Sequence, residues 1–214
     1  MVNPFLCAMV GALLLAGRAM GQGAGEWEIS TQIMNSVRPS TAGAVFAGQA
    51  VGVSQAAAAV RATTDLLRLG PVRLRYSAQV LPAIRLGGVE QYAALQVDGQ
   101  TTYILSGTRT AYGIGVVPLG LDLATHLGPR VRLQAGAGVG IAGFTQHVPL
   151  AGSRRRNFTA EWDGLLMVRA GGERWLQLGM RWKHISNGNT AWENPGIDNR
   201  MVFAGMSWRV RAPR

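Results

Sequence analysis

His184 and Ser186 stand two residues apart in the run Trp182-Lys183-His184-Ile185-Ser186-Asn187-Gly188. On a β-strand, side chains at i and i+2 emerge on the same face. An imidazole beside a hydroxyl supplies the base and the nucleophile of a serine hydrolase, which further needs a group to orient the base and donors for an oxyanion. Asp198 is the candidate acid: it shares sequence parity with Val202, Ala204 and Met206 of a following strand, and a tight connection through Asn194-Pro195-Gly196 would return it beside His184. Glu193 is the alternative acid, although it falls in the connecting loop, where no pleat fixes its direction. Asn187 follows the serine directly and can offer amide hydrogens to an oxyanion, with Gly188 permitting close backbone approach. Taken alone, His-x-Ser spacing also has a bland reading, a polar strand end at a membrane interface.

The strand that carries the pair shows why position matters. Leu176, Leu178, Met180 and Trp182 share a face with His184 and Ser186, while Gln177, Gly179, Arg181 and Lys183 share the other. A soluble sheet would bury the apolar stripe in a core; a membrane barrel would turn it to lipid. Polar groups that end a lipid-facing stripe are unexpected unless they sit at headgroup depth or act there.

Similar alternation recurs along the chain in segments of strand length separated by Gly, Pro, Asn and Asp. Val131, Leu133, Ala135, Ala137, Val139 and Ile141 alternate with Arg132, Gln134 and glycines; Phe158, Ala160, Trp162, Leu166 and Val168 alternate with Thr159, Glu161 and Asp163. Eight strands are predicted near 27–36, 57–68, 71–84, 112–124, 130–146, 157–170, 173–186 and 198–210, with the Ala/Gly/Val-rich stretch 38–56 the least readable. Periodicity alone leaves the outward face open, and a periplasmic lipid-binding barrel with its apolar face inside is the inverted arrangement. Strand length, a leader-like N-terminus and Trp27, Trp175 and Trp208 near strand ends favour an all-β, eight-stranded antiparallel transmembrane barrel. An even strand count puts both ends of the barrel on the periplasmic side and the 187–197 connection on the outer side. So small a barrel is filled by side chains. Arg73, Arg75, Arg132, Arg181, Lys183 and Arg209 inside it would need partners such as Glu161 and Asp163, a structural network rather than an ion path.

Composition bounds the remaining classes. The apolar run from Phe5 to Ala16, followed by Ala19-Met20-Gly21, reads as a secretory signal peptide over 1–21, leaving 22–214 as the barrel domain. Cys7, the only cysteine, falls within it. The net charge of +10 is nearly all arginine, Lys183 being the sole lysine, and it is scattered through strand-like segments. That pattern fits an exported protein at an anionic membrane surface better than a nucleic-acid binder. His126 reads as a turn residue far from the site and His147 as an outer-turn residue; neither has a second ligand at metal spacing, so no metal and no cofactor are expected.

His184-Ile185-Ser186-Asn187-Gly188 followed by Asn194-Pro195-Gly196-Ile197-Asp198 and a final strand resembles the outer-membrane lipid A 3-O-deacylases of the PagL family. The likeness is strongest over 110–210 and takes in the Gly136 to Gly143 strand, the Val148-Pro149 turn and Asn157-Phe158-Thr159. It implies an outer-membrane barrel that hydrolyses the ester at the 3-position of lipid A, releasing a 3-hydroxy fatty acid without a metal. His184 matches the family's base, Ser186 its nucleophile and Asn187 its oxyanion residue. Asp198 falls where the characterised deacylases carry a glutamate, so the acid is one methylene shorter and a tight bond to His184 is expected to need a local backbone shift. Arg154, Arg155, Arg156 and Arg200, near outer loops or strand ends, are weaker candidates for binding the phosphates of lipopolysaccharide in the outer leaflet. A homodimer is the self-association to be considered. The competing function is a non-catalytic outer-membrane β-barrel with a structural or adhesion role.

Overall fold

A computed structural model describes residues 26–40, 50, 52–150, 152–191 and 194–210. The leader expected over 1–21, with Cys7, lies outside them, as do residues 41–49 of the least readable stretch and the alternative acid Glu193.

The described chain forms eight antiparallel strands: β1 Trp27–Ser36, β2 Ser54–Leu69, β3 Val72–Val97, β4 Gln100–His126, β5 Val131–Val148, β6 Arg154–Gly171, β7 Arg174–Ser186 and β8 Ile197–Val210. Each pairs with its sequence neighbours, and β8 closes on β1, giving a barrel without a free edge. Connections at one end are short, as at Gly70-Pro71 and Gly172-Glu173, while at the site's end β1–β2, β5–β6 and β7–β8 have longer connections and β3–β4 a long hairpin. This asymmetry is the one expected of periplasmic turns and outer loops.

Burial fixes the outward face that periodicity left open. Leu176, Leu178 and Met180 are 53%, 64% and 60% exposed, whereas Gln177 between them and Arg181 and Lys183 beyond them are buried. The apolar stripes therefore face outward, and the inverted lipid-binding barrel is excluded.

The lumen is filled by a charge network with an apolar layer above it. At the periplasmic end Glu28 accepts hydrogen bonds from Arg132 (2.7 Å), Arg75 (3.2 Å) and Ser207 (2.8 Å). In the middle, Asp163 accepts from Arg61 (2.9 Å) and Arg181 (2.7 Å), and Arg61 also pairs with Asp122. Higher, Glu161 accepts from Lys183 at 2.5 Å and from Gln79 at 3.1 Å. Glu161 and Asp163 are thus the partners expected of them, while Glu28, Arg61 and Asp122 complete the network unforeseen. Arg73 and Arg209 instead pair at the rim, with Asp65 and Glu26. Nearer the outer end the filling turns apolar, with Leu81, Ile84, Phe144, Ile185, Ile197, Met201 and Phe203 buried together.

Two expectations need correction. Trp175 is no girdle residue: it is 4% exposed and turned inward, with the Arg132 guanidinium 4.5 Å from its ring and His126 edge-on at 5.8 Å. Trp27 and Trp208 do share parity with the outward residues of their strands. Strands β3 and β4 do not stop near 84 and restart near 112. They continue as one hairpin ribbon to a two-residue turn at Asp98-Gly99, both at positive φ (50° and 76°), the geometry that a type I′ turn requires. Its register slips between Leu81/Ile84, Leu86/Val89 and Gln91/Tyr92, and each slip resets the alternation by which a strand is recognised.

Candidate active site

The site lies at the outer end of the β7–β8 hairpin, and its parts are placed by an unbroken register. From Arg174↔Trp208 the pairing runs through Trp182↔Arg200 and His184↔Asp198 to Ile185↔Ile197. His184 and Asp198 are therefore directly opposed. What holds them outward is the pair next to them: Ile185 and Ile197 point inward and are fully buried in the apolar layer. Burying each isoleucine stabilises the hairpin by roughly 2–3 kcal/mol. With that pair locked inside, the pleat leaves His184 and Ser186 no direction but outward.

His184 Nδ1 stands 2.7 Å from Asp198 Oδ1, with side-chain exposures of 14% and 1%. The shorter acid makes its bond with no register shift, contrary to the expectation. Direct opposition brings the two Cα atoms within about 5 Å, close enough for an aspartate to span the gap. A carboxylate on Nδ1 fixes the tautomer with Nδ1–H and leaves the Nε2 lone pair as base. Ser186 ends β7, partly exposed, two residues on and on the same side; across the sheet it opposes Phe158 of β6.

The loop beyond the serine is built from asparagines. Asn187 is fully buried; its backbone N–H donates to Asn194 Oδ1 at 2.8 Å, and its carbonyl accepts from the Thr190 hydroxyl at 2.7 Å. Asn194 Nδ2 in turn donates to Asn189 Oδ1 at 3.0 Å. Sequence reasoning treated Asn194 only as part of a turn, yet it ties the two ends of the loop together. Gly188 sits at φ +62°, and a Cβ there would come within 2.8 Å of the Phe158 ring. Only glycine accommodates both the conformation and the close packing.

Two register rows deeper, Trp162, Trp182 and Arg200 line up across β6, β7 and β8. The indole rings lie 5.3 Å apart, and the Arg200 guanidinium is 4.7 Å above Trp182. Arg154 is bound to the Thr190 carbonyl at 3.0 and 2.8 Å, bracing the loop. Arg155 and Arg156 line a separate outer cleft with Tyr112, Ile114, Gly143 and Phe144. The four arginines suggested by the sequence thus do not converge on one point. His126 lies at the periplasmic end of β4 and His147 on β5, both away from the dyad. Among the described residues no group of three or more His, Cys, Asp and Glu side chains is placed to hold a metal ion.

A closed, lumen-filled barrel with an apolar belt and a polar dyad on its outer wall defines an outer-membrane β-barrel whose candidate site faces the lipid. Residues 72–207 match the family model described as lipid A 3-O-deacylase (PagL), and the chain belongs to that family. Among solved structures it is similar to the crystal structure of the outer membrane enzyme PagL, with 16% identity and a TM-score of 0.50 over 83% of this chain and 97% of that one. Neisserial surface protein A follows with 11% identity and a TM-score of 0.47, over 87% of this chain and 99% of its own. The attachment invasion locus protein Ail of Yersinia pestis gives 11% identity and a TM-score of 0.42, with the same coverage. No curated protein sequence matches the chain.

Proposed function

We propose that the chain is a serine esterase of the outer membrane that removes the 3-O-linked hydroxyacyl chain from lipid A. The observation that carries this reading is the 2.7 Å bond between His184 Nδ1 and a buried Asp198, with Ser186 two residues on along the same face of β7. His184 Nε2 takes the Ser186 proton as Oγ bonds to the ester carbonyl carbon. Asp198 stabilises the resulting imidazolium. Collapse of the tetrahedral adduct breaks the bond to the sugar oxygen, which leaves with the proton from His184. Water from the headgroup layer then attacks the acyl-serine through the same base, releasing the 3-hydroxy fatty acid and restoring Ser186.

Because the Asn187 backbone N–H is committed to Asn194, any contribution of Asn187 to the oxyanion comes from its side-chain amide. Asn194 is a positioning residue, since it acts by holding Asn187. Arg200 on its tryptophan platform lies close enough to the dyad to meet a polar group of the bound lipid. The outer-leaflet lipopolysaccharide is the substrate partner, and the mechanism needs no second subunit. Mass spectrometry of lipid A from cells with and without the protein tests the reading: the mass of one 3-hydroxyacyl group is lost when it is present. Unchanged lipid A, together with no ester release by folded, purified protein, would leave the non-catalytic barrel as the function.

A further inference from the structure

The lipid-facing wall carries a second feature, an open groove of about 510 Å³ lined from the middle of β4 and the outer parts of β5 and β6. Its floor is Gly143, whose register partners are Ile114 on one side and Arg156 on the other. A Cβ on Gly143 would meet nothing within 4 Å. The groove opens above that glycine, with Tyr112 and Ile114 as its outward apolar walls and Arg155 and Arg156 on the remaining side.

Its height and distance relate it to the dyad. Phe158 opposes Ser186, and Arg156 lies two residues farther out on the same strand. Strand spacing and rise put Arg156 roughly 8 Å from Ser186 and Gly143 roughly 12 Å from it. Both distances are within the span of one acylated disaccharide head. Apolar walls with two guanidiniums alongside fit an amphiphile whose charged group is phosphate, which arginine binds in bidentate fashion.

We infer that this cleft is a subsite for the same lipid A molecule whose ester lies at Ser186: Arg155 and Arg156 hold a phosphate of its head, and the Gly143 floor receives one of its remaining acyl chains. The inference rests on lipid A being the substrate, but not on turnover.

The test therefore measures binding in a Ser186→Ala background, with purified barrel in detergent and native mass spectrometry of retained lipid. The probes are bisphosphorylated lipid A and its enzymatically dephosphorylated form. One phosphorylated lipid per barrel is expected. Gly143→Leu, which fills open space at a residue of ordinary φ, should weaken retention at least tenfold. Arg155→Gln with Arg156→Gln should erase the preference for the phosphorylated probe. Ala204→Leu, the same kind of enlargement on the lipid face of β8, controls for a general effect, and heat-modifiable migration checks folding of each variant. Unchanged retention in Gly143→Leu, or two lipids per parent barrel, would overturn the subsite. Ester release by the serine-intact chain is scored separately: release with unaltered binding in the cleft variants refutes the cleft alone, and cleft-dependent binding without release refutes the esterase alone.

Discussion

Replacing Asp198 by Asn is the most discriminating perturbation of the dyad, because it keeps the size of the side chain and removes only its charge. In the proposed transition state His184 carries a positive charge beside the Asp198 carboxylate, with Nδ1 and Oδ1 2.7 Å apart and the acid 1% exposed. Taking about 4 Å between the centres of charge and an effective dielectric of about 20, the interaction is worth roughly 4 kcal/mol. That corresponds to about a thousandfold in rate. Asparagine also offers an N–H where an acceptor is needed, which favours the imidazole tautomer with its base turned away from Ser186. The assay is release of 3-hydroxy fatty acid from lipopolysaccharide in mixed micelles, followed by mass spectrometry at several substrate mole fractions. The expected result is kcat down about a thousandfold with KM little changed, in a barrel of normal heat-modifiability. Asp198→Glu is expected to lose about tenfold, since a longer acid overshoots a directly opposed imidazole. An Asn variant within threefold of the parent would refute the assignment of Asp198 and the electrostatic reasoning together.

Ser186→Ala and His184→Ala should each abolish hydroxyacyl release while leaving the gel shift of the folded barrel intact; release retained by both would sink the proposed mechanism. Gly188→Val forces a β-branched residue into φ +62° and onto the Phe158 ring. The expected consequence is about 1–2 kcal/mol of strain in the loop, seen as a large fall in activity with little change in the global unfolding midpoint. Glu161→Ala leaves Lys183, whose side chain is wholly buried, without its 2.5 Å partner. Removing one member of a buried pair costs about 3–5 kcal/mol. The loss should appear in urea unfolding in lipid vesicles and be largely recovered by adding Lys183→Met.

How much of this was legible in the sequence depends on whether the pleat stays in phase. Strands β5 to β8 were readable because their outward residues, such as Leu176, Leu178 and Met180, keep strict alternation up to the site. The position of Asp198 followed from the same parity, and the unbroken register is why that inference carried through to a bond. The β3–β4 ribbon was hidden by its register slips, although Asp98-Gly99 between Val97 and Gln100 was a hairpin signal in plain view. The lumen partners were hidden for another reason. Glu28, Arg61 and Asp122 lie far apart in the chain, and only barrel closure brings them to Arg132, Asp163 and one another. Parity does put Glu28 on the same face as Ser30 and Gln32, which marks it as inward, but parity names no partner.

A dyad mounted on the outside of a filled barrel works in a two-dimensional solvent. Its encounters are set by lateral diffusion and by the mole fraction of substrate in the surrounding film, not by bulk molarity. Adding detergent at constant total lipid should therefore slow the reaction by surface dilution, even though every molecule of substrate is still present. On the proposed reaction, the released fatty acid enters the same film, so product accumulates where the next substrate must arrive. With the lumen closed by side chains, the cell can make such a protein abundant in its outer envelope without opening a leak.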